Sequence, residues 1–448
     1  MGPLKEKLQS LQCHFTWSLE VRDKVDAEHN LQTLRLRLEH TSFPNRGAYL
    51  ALKAYLHHLQ EDNNEALESL QEAEEALRKD HPTNFSRQAL VTYGNFAWIY
   101  YHLTNYEKVE LYLEKIHETC QALSSPEPYS VAIPEIHAQK GWSLLAWGFR
   151  NGQEAKMCFL LALRGDGSNG EYQAGLAYSA FALWCHTMNE EFNEEAQRVL
   201  EEVLVHQPQN AEAKVYLANV IMRKDRARVK SLVEDVAQNS LNPEVLRNAA
   251  KVWGYLSLPL SWAIAVLEKA IALGPSYHLL YYDLGVCYTK QMKEASQEER
   301  EELVAKATKI FKQALEKDPF SVFSQLELAK LYGEKSLADE EEIYQNLMED
   351  LPNLSQRCQQ AIYLHWGDFL LHKKRNKEGA LEMYTKGFQI SGGHGKEQSL
   401  LKGRLLSLAK LFQKESETGQ ANRIYEMVGL PHEERFQSRF GRIQKPQK

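Results

Sequence analysis

The sequence predicts an all-α fold, a solenoid of paired helices curled into a superhelix around a central groove. A small residue recurs with Leu or Phe four positions later and an apolar residue three further on, often with a proline five residues beyond. Examples are Ala196, Leu200, Val203 and Pro208, then Ala263, Leu267, Ala270 and Pro275, then Ala307, Phe311, Ala314 and Pro319. Offsets of four and three place these side chains on one helix face, where the small residue lets a second helix approach closely.

The other helix of each pair carries its own pattern. Tyr281, Leu284, Gly285 and Tyr288 fall at the aromatic, Leu-Gly and Tyr positions of the first helix of a tetratricopeptide repeat. The pattern of the second helices belongs to the same repeat, so the 448 residues are predicted to form one elongated array. We expect burial at helix contacts for Ala263, Ala270, Ala307 and Ala314.

The order of elements follows from these patterns. Residues 1–45 lack the repeat and are predicted to be two or three leading helices, the last covering about Asn30 to His40. The expected domains are these leading helices, N-terminal and central repeats over 46–290, and C-terminal repeats with a basic tail over 291–448. Between Tyr288 and Ala307 one pair carries about ten extra residues, which are expected to lengthen both helices or add a loop.

Composition and motifs exclude several function classes. The net charge of −7 argues against a cationic coat, and no DNA partner is expected. The uncharged run from Val252 to Leu267 is shorter than the ~18 residues of a membrane span and contains Pro259, so it is interpreted as two buried half-helices and their turn. Six scattered cysteines without a C-x-x-C pair, and no secretory signal, predict reduced thiols and a cytoplasmic protein.

Chemical motifs fail in their context. The segment Gly165 to Gly170 contains a G-x-G-x-x-G string, but it fills a predicted turn between two helices instead of following a strand. His57 and His58 point to different helix faces and cannot share a metal. The cations between Met222 and Lys230, like those of the tail from Arg435, are interpreted as a solvated face and a frayed end. We therefore predict a protein that is not an enzyme and holds neither metal nor cofactor.

Several stretches go beyond a generic repeat. They are Cys13 to Trp17, Val91 to His102, Pro134-Glu135 with Gly141 to Leu145, and Leu284 to Tyr288 with Gln291-Met292. In order and spacing they closely resemble the interferon-induced proteins with tetratricopeptide repeats, over almost the whole chain. That resemblance implies a cytosolic antiviral protein that holds single-stranded viral RNA by its 5′ end, through a triphosphate or an incompletely methylated cap, in a positively lined channel.

The resemblance also implies site residues. On the helix that closes the pocket, Thr33 falls on a phosphate-contacting position and Arg37 stands where the family commonly has Gln. Trp142 matches a tryptophan that stacks on a cap base or first nucleotide, and Arg247 and Lys251 match two basic positions one turn apart. Positions deeper in the channel fall at Glu212, Tyr282 and Asp283. Ala146 and Ala182 replace a Lys and an Arg, a loss that Arg37 and Arg150 would offset in part.

Two functions remain open from the sequence. The first is an RNA-end binder that sequesters foreign transcripts. The second is a non-catalytic scaffold whose groove or ends bind proteins, including related family members, because repeat superhelices generally can do so. Gained carboxylates and lost cations weaken binding of a 5′-triphosphate and favour the scaffold, whereas the family resemblance favours the RNA-end binder. For each candidate a structural role is the alternative: Trp142 could pack in the core, and the charged residues could be ordinary surface groups.

Overall fold

The computed structural model describes residues 3–17, 19, 24–40, 45–256, 258–391 and 395–429, and these contain helices and turns but no strand. The helices are α1 (Pro3–Gln9), α2 (Lys24–His40), α3 (Arg46–Leu59), α4 (Asn63–Asp80), α5 (Phe85–Gln88), α6 (Leu90–His102), α7 (Tyr106–Ala122), α8 (Pro134–Ala146), α9 (Gly152–Gly165), α10 (Gly170–Thr187), α11 (Glu190–His206), α12 (Ala211–Ile221), α13 (Arg226–Asn239), α14 (Pro243–Trp253), α15 (Leu260–Leu273), α16 (His278–Gln291), α17 (Gln297–Lys317), α18 (Val322–Tyr332), α19 (Leu337–Glu349), α20 (Gln356–His372), α21 (Lys377–Gln389), α22 (Gly395–Lys414) and α23 (Thr418–Met427).

Two compact units divide the chain, one ending at Gln291 and the other beginning at Met292. In the first unit, consecutive helices pack as pairs: α3 on α4, α6 on α7, α8 on α9, α10 on α11, α12 on α13, and α14 on α15. In the second unit, α18 packs on α19, α20 on α21, and α22 on α23. Each pair is one repeat, so the predicted all-α repeat solenoid is confirmed.

Small residues in the first helix of a repeat make room for a large one in the second. Phe159 of α9 is fully buried between Gly141 of α8 and Gly175 of α10. A Cβ added at Gly141 would lie 2.7 Å from the Phe159 ring, so neither glycine could carry a side chain without displacing it. The four alanines that the repeat pattern assigns to helix contacts are fully buried as expected: Ala263, Ala270, Ala307 and Ala314.

The leading helix α2 lies against repeats that are far away in sequence. Its buried stripe, Ala27, Leu31, Leu34 and Leu38, follows helical spacing, and the helix packs on α3 and also on α14, about two hundred positions further along the chain. The helix begins at Lys24 and not near Asn30, so the predicted start was too late by about two turns. The early part of α2 carries no repeat pattern, which is why the sequence missed it.

The segment Cys13 to Trp17 is anchored in the core of the first unit. His14 is buried, and its Nδ1 accepts a hydrogen bond from Asn95 Nδ2 at 2.8 Å. Its Nε2 must then carry the proton and donate to Ser143 Oγ at 2.9 Å, since Ser143 uses its own hydrogen on the Gln139 carbonyl. Burial lowers the pKa of His14 to about 3, so this histidine stays neutral and ties α6 to α8.

Other predicted features have clear outcomes. The extra residues after Tyr288 lengthen α17 alone, which runs for 21 residues and starts with a capping box between Ser296 and Glu299, whereas α16 has an ordinary 14. No described helix is long and apolar enough to cross a membrane, and the run around Pro259 is the α14–α15 turn. All six cysteines are free thiols, although Cys185 and Cys358 are half-buried and not in the core.

Candidate functional site

Arg37 of α2 reaches a buried polar cluster inside the first unit. The groups that interact with its guanidinium come from three repeats: Tyr49 of α3, Glu212 and Tyr216 of α12, and Glu244 of α14. Burial opposes the charge, but these neighbours together raise the pKa of Arg37 above its ordinary value, so the group remains a cation. The leading helix thus delivers a positive charge into the interior of the repeat array.

Arg247 of α14 forms the best-defined ion pairs of the cluster. Its Nε donates to Asp283 Oδ2 of α16 at 2.6 Å, and its Nη1 donates to the two oxygens of Glu244 at 3.0 and 3.1 Å. The Tyr277 hydroxyl also donates to Glu244, at 2.6 Å. Although burial works against both charges, their attraction raises the pKa of Arg247 and lowers the pKa of Glu244. Arg247 and Glu244 are therefore both ionised, and the charge of Arg247 is already balanced within the protein.

Trp142 of α8 has a polar contact at one end and aromatic contacts along its ring. Its indole Nε1 donates to Glu171 of α10 at 2.8 Å, and its ring lies edge-on to Phe159 with centroids 4.8 Å apart. The side chain is 4% exposed, so core packing is its main role in this structure. Burial raises the pKa of Glu171 to about 7, although the hydrogen bond from Trp142 opposes the shift.

Tyrosines connect Trp142 to the carboxylate Glu212. Tyr178 lies edge-on to Trp142 and to Tyr216, with ring centroids 6.1 and 5.0 Å apart. The Tyr216 hydroxyl donates to Glu212 at 2.7 Å. Burial raises the pKa of Glu212, against the effects of this hydrogen bond and of Arg37. Both glutamates thus bind protons more readily than glutamates in water do.

The remaining predicted RNA-binding residues lie on the same elements. Thr33 is half-buried one turn before Arg37, and Lys251 is exposed one turn after Arg247. Tyr282 is half-buried next to Asp283, and Arg150 is half-buried in the turn Phe149–Asn151 that follows α8. Arg37, Trp142 and Arg247 belong to one continuous cluster. Tyr49 interacts with Arg37 and with Glu171, the partner of Trp142. Glu244, the partner of Arg247, also interacts with Arg37.

Carboxyl groups balance or exceed the cations at this site. Glu212 and Glu244 face Arg37, Glu244 and Asp283 bind Arg247, and Lys251 lies at the edge. Glu171 accepts the hydrogen bond of Trp142. Ala182 is fully buried and Ala146 half-buried, so two methyl groups stand where the resemblance implied a Lys and an Arg. A polyanion entering here would have to replace internal carboxylates as the partner of each arginine.

A cavity of about 620 Å³ lies beside this cluster, at the C-terminal end of α2. It is lined by none of the seven predicted RNA-binding residues, but by His40 and by groups that include Lys214, Asp235 and Asn242. His40 connects the two places, since its ring stacks on Tyr277 with centroids 4.6 Å apart and Tyr277 bonds Glu244. The cavity is therefore adjacent to the arginine cluster and separate from Trp142.

Comparisons with known proteins decide the family. The human antiviral innate immune response effector IFIT1 is 32% identical over 428 residues, which cover 92% of this chain and 89% of that protein. Human interferon-induced protein with tetratricopeptide repeats 2 is 30% identical over 433 residues, 91% of this chain and 88% of that protein. The chain belongs to the family of interferon-induced proteins with tetratricopeptide repeats. No protein-family model matches it.

Solved structures of this IFIT family share the fold. The human IFIT1 dimer with m7Gppp-AAAA superposes with a TM-score of 0.71 at 29% identity, covering 95% of this chain and 96% of that one. The human IFIT1 dimer with PPP-AAAA has a TM-score of 0.67 at 30% identity, covering 95% and 98%. In these two structures human IFIT1 holds a short RNA that carries a capped or a triphosphorylated 5′ end.

Sequence reasoning missed several members of this IFIT-family cluster. Glu244 and Tyr277, which hold Arg247, and Tyr49, Tyr178 and Glu171 were not singled out. Two contacts of the cluster have a local signal: Glu244 stands three residues before Arg247, and Tyr216 four residues after Glu212, spacings that place side chains on one helix face. The others join helices of different repeats, so spacing along the chain carries no information about them.

Charge runs and motifs outside the cluster behave as structural features. Lys224 pairs with Glu190 at 3.2 Å, Arg228 with Glu201 at 2.6 Å and Lys230 with Glu234 at 3.7 Å, as expected of a solvated face. The glycine string 165–170 is the turn between α9 and α10. No group of three metal-binding side chains occurs among the described residues. The basic tail from Arg435 lies outside those residues.

Proposed function

We propose that this chain is a non-catalytic antiviral protein of the cytoplasm that binds single-stranded RNA by its 5′ end, in the cluster that joins α2 to α8, α10, α12, α14 and α16. The observation that carries this proposal is the convergence of Arg37, Trp142 and Arg247 on one buried site although they lie more than two hundred positions apart. Human IFIT1, which matches nearly the whole chain, was solved with such RNA ends.

Each site residue has a proposed part in binding. Arg37, Arg247 and Lys251 contact phosphates, assisted by Thr33, and Arg150 approaches from the turn after α8. Trp142 and Tyr282 offer rings to the terminal base or first nucleotide, and a stacked base is worth ~1–3 kcal/mol. Because Trp142 is 4% exposed, stacking on it requires its neighbours Glu171 and Tyr178 to move aside.

The carboxylates favour a capped end over a free triphosphate. Arg247 already pairs with Asp283 and Glu244, and Glu212 interacts electrostatically with Arg37. A 5′-triphosphate brings a dense negative charge next to these groups, whereas a methylated cap carries a positive charge on its base that offsets part of its phosphate charge. Like charges in a buried site disfavour the more negative ligand.

One observation favours the scaffold as a second candidate. Four carboxyl groups lie among the cations of the site, so it is less positive than a typical polyphosphate pocket. A protein ligand with basic side chains would fit such a lining at least as well as RNA. Related family members are included among these partners.

A titration with three RNAs tests the proposal. A short adenylate carrying a 5′-cap, a 5′-triphosphate or a 5′-hydroxyl is added to the full chain at fixed salt, because phosphate contacts make affinity depend on salt. We expect the capped RNA to bind at least ten-fold more tightly than the hydroxyl form, with the triphosphate between them. Equal affinity for all three ends would contradict 5′-end recognition and leave the scaffold as the function.

A further inference from the structure

Arg37 interacts with two carboxyl groups, one on α14 and one on α12. The α14 carboxyl, Glu244, accepts hydrogen bonds from three side chains: from Arg247 at 3.0 and 3.1 Å, from Tyr277 at 2.6 Å and from Asn248 at 3.2 Å. One of these donors is a cation. Hydrogen bonds and a nearby positive charge both stabilise the ionised form of a carboxyl, so Glu244 is well held as a carboxylate.

The α12 carboxyl, Glu212, is half-buried and has far fewer donors. Within the described part of the chain it accepts one hydrogen bond, from the neutral hydroxyl of Tyr216 at 2.7 Å. The neighbouring Tyr178 donates instead to Asn210, at 2.9 Å. The rings of Tyr178 and Phe181 lie on Tyr216 with centroids 5.0 and 4.2 Å away, so the surroundings of this hydrogen bond are largely apolar.

The electrostatic environment of Glu212 is set by several helices. The titratable or charged groups that act on it come from α2, α3, α10, α12 and α14, and they are Arg37, Tyr49, Tyr178, Tyr216 and Glu244. Helices α11 and α13 also pack on α12, with ion pairs outside this cluster. Asp235 of α13 pairs with Lys214, which lies on the opposite side of α12 from Glu212, and Arg228 of α13 pairs with Glu201 of α11.

A negatively charged ligand at Arg37 adds a third negative group beside the two carboxyls. Burial already raises the pKa of Glu212, and the opposing effects of Tyr216 and Arg37 do not cancel it. A further negative charge nearby raises the pKa of such a carboxyl again. Glu244 keeps its charge because Arg247 holds it. Once protonated, Glu212 no longer competes with the ligand for Arg37, and its O–H can donate to a phosphate oxygen.

We propose that Glu212 determines how well the pocket around Arg37, Trp142 and Arg247 accepts a negatively charged 5′ end, by taking up a proton from water as that end binds. The proposal rests on the proposed function, because it places the 5′ phosphates beside Arg37. It adds that RNA and protons bind to this pocket cooperatively, each raising the affinity for the other.

The direction of the pH dependence follows from this coupling. At low pH the Glu212 carboxyl is neutral with and without RNA, so affinity is highest and constant there. Affinity falls as the pH rises through the pKa of Glu212 in the free protein, because binding then requires uptake of a proton. An RNA end that brings more phosphate charge to Arg37 should show the larger fall.

The test measures affinity and proton uptake in the full-length protein from pH 6 to pH 8.5. The ligand is a short adenylate with an unmethylated guanosine cap, since the bridging phosphates of this cap stay ionised over that range. Glu171→Gln serves as the background, because it removes the other carboxyl with a raised pKa, about 7. We expect affinity in this background to fall by up to about ten-fold per pH unit, as uptake of one proton requires.

Adding Glu212→Gln should remove most of this fall, because glutamine keeps an acceptor for Tyr216 and carries no charge at any pH. At pH 8.5 the double variant should therefore bind the capped RNA about ten-fold more tightly than the background. Calorimetry in two buffers of different ionisation enthalpy measures the protons taken up on binding. We expect close to one in the background above neutral pH, and close to none in the double variant.

Glu191→Gln in the same background is the matched control. Glu191 lies in the first turn of α11 as Glu212 lies in the first turn of α12, but Glu191 is exposed, so its replacement should leave the full pH dependence. The proposal is wrong if the capped RNA binds equally at pH 6 and pH 8.5, if Glu212→Gln keeps the pH dependence, or if Glu191→Gln abolishes it as well. In these cases tighter binding of capped than of 5′-hydroxyl RNA still supports the proposed function. Equal affinity for capped and 5′-hydroxyl RNA at every pH contradicts the proposed function and the role of Glu212 together.

Discussion

The arginine cluster of the pocket and the basic segment 222–230 contain similar ion pairs in different surroundings. Arg247 pairs with Asp283 at 2.6 Å, and Arg228 pairs with Glu201 at the same distance. In the first pair both side chains are 11% exposed, whereas in the second they are 45% and 35% exposed. The pocket pair replaces water on both charged groups, and the surface pair does not.

This difference shows that a run of charged residues in a sequence does not identify the charges that affect stability or ligand binding. Segment 222–230 is the most conspicuous basic run of the repeats, yet its cations face water and meet neighbouring glutamates, where a pair contributes little. The pocket cations are isolated in sequence and become a cluster only through folding. A buried charge cannot be left without a partner, so these few residues constrain both stability and ligand choice.

The largest expected effect is the difference in stability between two arginine variants, one in the pocket and one in the basic segment. Arg247→Met leaves Asp283 buried without its cation and removes one partner of Glu244, and it should lower the free energy of unfolding by ~3–5 kcal/mol. Arg228→Met removes an exposed pair of equal length and should cost ~0.2–1 kcal/mol. Denaturant unfolding of the two variants beside wild type measures both values.

A double variant sharpens this result. In Arg247→Met/Asp283→Leu the carboxylate of Asp283 is gone as well, so part of the lost stability should return, as it does when a buried ion pair is replaced by apolar groups. If Arg247→Met costs no more than Arg228→Met, the arginine cluster is not desolvated and the contrast between the two regions is wrong.

The next effect concerns pH and Glu171. Its pKa is raised by burial from 4.5 to about 7, so the folded protein holds a proton that the unfolded chain releases between these values. The neutral carboxyl contributes stability that is fully present below about pH 4.5 and is lost as pH rises through about 7. Glu171→Gln keeps an acceptor for Trp142 and should therefore stabilise the protein above pH 7, by on the order of 2 kcal/mol.

Thermal melting of wild type and Glu171→Gln from pH 5 to pH 8.5 checks this expectation. The melting temperatures should coincide near pH 5 and separate progressively toward pH 8.5, with the variant higher. Glu191, an exposed glutamate in the first turn of α11, is the control for loss of charge at a helix start, and Glu191→Gln should show no such separation. A constant difference at every pH would contradict the raised pKa of Glu171.

The repeat architecture was predictable because each contact that defines it is local. Offsets of four and three around Ala263 or Ala307 determine which side of a helix is buried, and the turn signals lie within a few residues. The sequence did not predict where α2 starts, nor that the extra residues lengthen α17 and leave α16 at its ordinary length, because neither segment carries a repeat pattern. Where helices begin depends on packing partners, which for α2 include the distant α14.

The sequence indicated some residues of the cluster but not the contacts that hold them. The family resemblance pointed to Arg37, Trp142 and Arg247, which lie in one cluster, and to Ala146 and Ala182 as losses of charge. It gave no indication that Trp142 donates to Glu171, or that Tyr277 and Glu244 hold Arg247. These contacts join different repeats, and their strength depends on burial, which sequence spacing alone does not determine.

The smallest expected effect compares two exposed lysines in the two regions. Lys251 follows Arg247 by one turn at the edge of the pocket, whereas Lys230 lies in the basic segment and pairs with Glu234 at 3.7 Å. If RNA occupies the pocket, Lys251→Gln removes one phosphate contact and should lower the slope of log affinity against log salt by about 0.7, while Lys230→Gln leaves it unchanged. Titrations of a capped ten-mer at three or more salt concentrations measure both slopes. Both lysines are exposed and carry the same charge, so a general attraction of RNA to positive charge would change the two slopes equally. Equal changes of the two slopes would therefore show that RNA binds to exposed positive charge in general, and would contradict RNA binding in the pocket.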